Sequence, residues 1–107
     1  MDKVDYLPLG SIVRLEGGVK KIIIVGRGLT VRINNGVYFM DYAGFQYPEG
    51  LIGDQAAYFN HTDIEQIIFR GYSDDENEIL VRHINKYAES DKVVRGNAKE
   101  LAENSRR

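Results

Sequence analysis

The stretch that decides the fold is Lys20-Lys21-Ile22-Ile23-Ile24-Val25-Gly26-Arg27-Gly28, then Leu29-Thr30-Val31-Arg32-Ile33, then Asn34-Asn35-Gly36-Val37-Tyr38-Phe39-Met40-Asp41-Tyr42. Residues 22–25 have no polar break and read as a strand covered in part on both faces. Gly26 and Gly28 flank Arg27 and predict a bend or a break in pairing. Leu29 to Ile33 continue the strand beyond it. Asn34-Asn35-Gly36 predicts a tight turn, with the Asn-Gly step favouring a type I′ hairpin. Residues 37–42 return with Tyr38, Met40 and Tyr42 on one face and Val37, Phe39 and Asp41 on the other. A local β-hairpin therefore sits at the centre of the chain.

Outward from the hairpin, residues 11–16 read as an earlier strand, closed by a Gly17-Gly18 turn. Residues 43–54 carry Gly44, Pro48, Gly50 and Gly53 and read as a longer loop. A short strand is expected at 57–59 and a last one at 67–72. Thr62 and Glu65 have capping-box spacing, which predicts one helical turn between those strands. Ser73-Asp74-Asp75-Glu76 repeats that spacing and opens a helix over about 74–88, with acids at its start and Arg82 and Lys86 toward its end. Leu80, Ile84 and Tyr87 share one face of it, widened by Ile79 and His83, and are expected to be buried against the sheet.

Ten of the eleven glycines and ten of the eleven Tyr and Phe residues occur by Tyr72, so the β-rich part ends there. The expected class is α+β and β-rich: a small, mostly antiparallel, partly open barrel or curled sheet with a short helical turn and a C-terminal α-helix. A chain of 107 residues suits one domain. Residues 1–90 form that domain, and 91–107 read as a polar, flexible tail.

Charge and composition exclude several classes. The 107 residues carry a formal net charge of −2, with 28% charged and 43% hydrophobic side chains, which is a globular balance. There is no cysteine, which rules out disulfides, thiolate zinc sites and cysteine nucleophiles and fits a reducing, cytoplasmic setting. No apolar run approaches the roughly 20 residues of a membrane span, and Met1 to Asp5 lack the pattern of a signal peptide. Membrane insertion is not expected. Residues 1–72 and 73–107 each hold seven Lys and Arg against eight Asp and Glu, so neither has a phosphate-binding excess. This weighs against reading Lys20, Lys21, Arg27 and Arg32 with Tyr38, Phe39 and Tyr42 as a nucleic-acid face. Edge-strand lysines also serve to block unwanted strand pairing.

Catalytic signals are weak. His61, Asp63 and Glu65 have alternate spacing that could ligate a divalent metal. The two acids are also what a capped helical turn needs, and that structural account is preferred. His83 reads as a partly packed helix residue. Gly26-Arg27-Gly28 lacks the third glycine of a dinucleotide fingerprint and runs into a strand. Serines occur at 11, 73, 90 and 105, none in a nucleophile elbow. No enzyme, cofactor or metal is expected. Eleven Tyr and Phe side chains are many for one small core. Phe45 and Tyr47 sit among turn residues and are the candidate anchors of a protein-binding surface, with Tyr42 beside them. They could equally close one end of a barrel.

A more specific pattern runs through the chain. Leu7-Pro8-Leu9-Gly10-Ser11-Ile12-Val13 leads into Leu15-Glu16-Gly17-Gly18-Val19-Lys20-Lys21 and Ile23-Ile24-Val25-Gly26-Arg27-Gly28. Tyr38-Phe39-Met40-Asp41-Tyr42, Tyr47-Pro48-Glu49-Gly50, Tyr58-Phe59-Asn60-His61-Thr62-Asp63-Ile64 and Ile67-Ile68-Phe69-Arg70-Gly71-Tyr72 follow in order. Over roughly residues 6–85 this resembles the bacterial domain of unknown function family numbered 4176. Leu29 to Asn35 and the segment after Tyr87 depart from that pattern. The resemblance implies a Gram-positive setting beside type VII secretion genes and LXG polymorphic toxins. It implies a cytoplasmic accessory, a chaperone or targeting partner, whose partner is another protein such as a secreted toxin or its targeting factors. A toxin-neutralising immunity protein and a small nucleic-acid-binding barrel are the alternatives. The resemblance carries no catalytic residues.

Overall fold

The computed structural model describes residues 3–90 and 93–98. Five strands form one antiparallel sheet: β1 (Ile12–Leu15), β2 (Lys21–Ile33), β3 (Gly36–Tyr47), β4 (Ala57–Phe59) and β5 (Ile64–Phe69). Their order is β4-β3-β2-β1-β5, so the sheet does not close and β4 and β5 are its edges. A 3₁₀ turn, His61–Asp63, precedes β5, and one helix, α1 (Asp75–Ala88), follows it. The β2–β3 hairpin pairs from Lys21↔Tyr47 to Ile33↔Gly36 and is the spine of the molecule. The Gly26 expectation is met by a β-bulge between Ile24 and Gly26, beyond which the strand continues. Gly28 (φ 58) leaves room for the helix: a Cβ there would lie 2.5 Å from Ile84 Cγ2.

The core joins Val13, Ile22, Ile24, Phe39, Tyr42 and Phe59 of the sheet to Ile84 and Ala88 of α1 and to Tyr6 and Leu7 of the leading segment. That segment is tied to α1 by Asn85, whose Oδ1 accepts the Val4 N–H at 2.8 Å and whose Nδ2 donates to the Val4 carbonyl at 2.9 Å.

Several expectations change. Residues 43–47 are strand rather than loop. Gly44 is a packing glycine, since a Cβ would meet Ile22 Cγ2 at 2.4 Å. The hairpin loop is Asn34-Asn35, and only Asn34 has positive φ (54), so the turn is not type I′; Gly36 already pairs with Ile33. The short turn begins at Asn60 rather than Thr62, with the Asn60 N–H donating to Asp63 Oδ2 at 2.7 Å. Asp74, not Ser73, caps α1 by accepting the Asn77 N–H at 3.0 Å. The inward face of α1 is Val81, Ile84, Asn85 and Ala88, whereas Leu80 and Tyr87 are each 45% exposed. Asn85 explains the error in phase: a polar residue at the centre of the inward face reads as outward until its bonds to Val4 are seen.

The segment after α1 is also not free. Residues 93–98 dock on the sheet, where the Phe39 N–H donates to the Val94 carbonyl at 2.6 Å and the Gly96 N–H to the Phe39 carbonyl at 2.9 Å. Arg95 thereby makes a parallel bridge to Phe39. The expected tail positions 91–92 and 99–107 lie outside the described residues.

Candidate functional site

Phe45 and Tyr47 emerge on the second face of the sheet. On the first face Val13, Ile22 and Ile24 are closed off from solvent. On the opposite face the register sets Phe45 beside Ile23, Ile23 beside Ile12 and Ile12 beside Phe69. This makes one apolar row across β3, β2, β1 and β5. Ile12, Ile23 and Phe45 are half-buried, and Phe69 is 57% exposed. One step along the strands runs a second row, Tyr47–Lys21–Arg14–Gln66. Lys21 Nζ lies 5.4 Å from the Tyr47 ring centre, and Arg14 donates to Gln66 Oε1 at 2.8 Å. Among the described residues neither cation forms an ion pair.

Tyr42 is not part of that surface. Its ring is fully buried, stacked 5.2 Å from Phe59 and edge-on to Tyr6 at 5.6 Å. Its hydroxyl accepts the Leu7 N–H at 3.0 Å and lies 2.7 Å from His61 Nδ1. Positions 39–44 of β3 are buried on both faces, and Phe45, just beyond them, is half-buried. Burial pushes the Tyr42 phenol up to about 12, with the Leu7 N–H pulling the other way.

A buried polar cluster centres on Asp41. Its Oδ1 accepts the Tyr6 hydroxyl at 2.6 Å and Arg95 at 2.9 Å, and its Oδ2 accepts the His61 backbone N–H at 2.9 Å. Asn60 completes the cluster: its Oδ1 accepts the Asp41 N–H and Arg95, each at 3.2 Å, and its Nδ2 donates to the Gly96 carbonyl at 2.9 Å. A carboxylate this deep is tolerable only when paired and hydrogen-bonded. Burial draws the Arg95 guanidinium down, but the Asp41 bond and charge more than offset this and hold it above its usual value. Burial, then the Asp41 bond and charge, push the Tyr6 phenol far above its ordinary range. Asp41 inside an aromatic strand was a signal that sequence reasoning passed over, and Arg95 carried none.

The cluster's groups hydrogen-bond one another, so the arrangement is suited to holding the fold. His61, Asp63 and Glu65 do not converge. The first faces Tyr42, the second caps the Asn60 N–H, and Glu65 is exposed on β5. No group of potential metal ligands occurs among the described residues. An open cleft of about 390 Å³ lies between the leading segment, the end of β5 and α1, lined by Asp5, Arg70, Glu78 and Arg82 among others, with charges of both signs. No described helix is long and apolar enough to cross a membrane.

Comparison with known proteins returns no match among curated proteins and none among solved structures. A family model, Domain of unknown function (DUF4176), matches residues 6–80, from Tyr6 of the cluster through the first part of α1. Arg95 and the inward residues of the later helix turns lie past that match. With more than half its length matched, the chain belongs to the DUF4176 family.

Proposed function

We propose that this chain is a non-enzymatic protein-binding module that serves in the cytoplasm as a chaperone or targeting accessory for type VII-secreted LXG-type toxins. The observation that carries the binding part is the apolar row on the second face of the sheet, with Phe45 at one end, Phe69 at the other and Tyr47 beside it. Large rigid aromatics on a strand supply contact area at low entropic cost and are the usual anchors of protein interfaces. The export part rests on the family resemblance.

The test is co-purification of the tagged protein from its native host, with Phe45→Ala/Tyr47→Ala alongside. The proposal expects an LXG toxin or its targeting factors in the eluate, and capture by the variant reduced at least tenfold, about 1.4 kcal/mol. Capture unaffected by the variant removes the surface. A labelled oligonucleotide that binds with steep salt dependence would replace the reading altogether.

A further inference from the structure

We infer that the row Phe45–Ile23–Ile12–Phe69 receives a short amphipathic helix of a partner protein, one whose apolar stripe is flanked on one side by acidic residues. The inference rests on the protein-binding reading and names the chemistry of the partner.

Two observations fix that chemistry. The first is size. Four strands about 4.8 Å apart make the row about 14 Å long. A helix of about ten residues rises about 15 Å, and apolar residues at i, i+3, i+4 and i+7 lie along one side of it.

The second is charge. The bordering row carries Lys21 and Arg14, held in place by the Tyr47 ring and the Gln66 side chain, and neither has a carboxylate within ion-pair distance among the described residues. A partner placing carboxylates over that border gains two charge-assisted contacts, while one placing cations there meets like charge. The border therefore also orients the helix, since only one flank of its stripe can be acidic side down.

Two fluorescent synthetic peptides test this. Both are amphipathic helices of two to three turns with leucine at i, i+3, i+4 and i+7; one carries glutamates along one flank of the stripe, the other lysines. Fluorescence anisotropy with the full chain should give the glutamate peptide a Kd at least tenfold lower. Lys21→Glu combined with Arg14→Glu should reverse the order. Phe69→Glu should abolish binding while the circular dichroism melt stays within a few degrees of the parent. Equal affinity for both peptides overturns the acidic-flank assignment and leaves protein binding standing. If neither peptide binds but the Phe45→Ala/Tyr47→Ala variant still loses its native partner, the helical occupant is wrong and the surface is right. If neither binds and native capture is unchanged, both fail. A dimer seen by light scattering and dissolved by Phe69→Glu would overturn the inference in favour of a second copy.

Discussion

Arg95 reaches back from beyond the helix to bond the buried carboxylate of Asp41 at 2.9 Å, across 54 positions of sequence. With the guanidinium 5.1 Å from the Phe39 ring, the contact also seats the post-helix segment on β3. Removing one partner of a largely buried pair strands the other. Arg95→Ala should cost about 3 kcal/mol, read as a lower urea midpoint. Asp41→Ala should cost more, because Tyr6, Arg95 and the His61 N–H all lose their acceptor. A midpoint unmoved by Arg95→Ala would mean that the Arg95–Asp41 pair contributes nothing to stability.

Leu80 and Ile84 sit one turn apart on α1 and should respond differently. Leu80→Asp, at a half-exposed position, should change stability by no more than about 0.5 kcal/mol. Ile84→Ala, against Gly28, should cost about 2–4 kcal/mol. Gly28→Ala should destabilise through both its positive φ and the clash with Ile84. In the Ile84→Ala background part of that penalty should vanish, a coupling that a double-mutant cycle in urea reads directly.

Tyr42→Ala and Tyr47→Ala should separate core from surface. The first empties a fully enclosed site and should cost about 3–5 kcal/mol. The second should leave the melting temperature nearly unchanged. Collapse of both variants would place Tyr47 in the core and remove it from the interface.

Alkaline pH should destabilise the protein through its buried phenols. Tyr42 is raised to about 12 and Tyr6 higher still, so in the folded state both favour the protonated form relative to an unfolded tyrosine near 10. Their contribution is fully present below about pH 10 and is lost as pH rises from there through the folded values. Denaturant midpoints measured from pH 9 to 12 should fall, and Tyr6→Phe should flatten the fall. Absorbance titration should show two tyrosines ionising above the range of an unfolded phenol.

Zinc and manganese should find no site tighter than roughly 10 μM in calorimetric titration, an affinity near 7 kcal/mol. His61 Nδ1 is engaged by Tyr42 and the Asp63 carboxylate by the Asn60 N–H. A tight one-to-one isotherm abolished by His61→Ala would overturn this assignment.

Local signals in the sequence located the elements well. The Ile22–Val25 run, the Gly26 bulge and the 74–88 helix were readable because period and turn chemistry act over a few residues. What was hidden depends on distant partners. Asn85 looks solvent-facing until Val4 arrives beside it, which displaced the inward face of α1 by one position. Gly44 and Pro48 carry turn chemistry, yet β2 extends β3 through Gly44 to Tyr47. Phe45 and Tyr47 stand out as candidates by residue type alone, while Ile12, Ile23 and Phe69, which lie in line with Phe45, emerge only through the pairing register. Arg95 stood in a polar stretch with nothing near it to suggest a buried acid.

The Asp41 cluster also imposes an order on biosynthesis. A ribosome releases Tyr6 first, Asp41 35 residues later, and Arg95 54 residues after that. The spine hairpin can close while α1 is still in the exit tunnel, but its central acid must then wait for its cation. Until the segment after α1 emerges, the nascent chain carries an unneutralised carboxylate at the place where its core condenses. Completion of the fold is thereby coupled to completion of translation past residue 95.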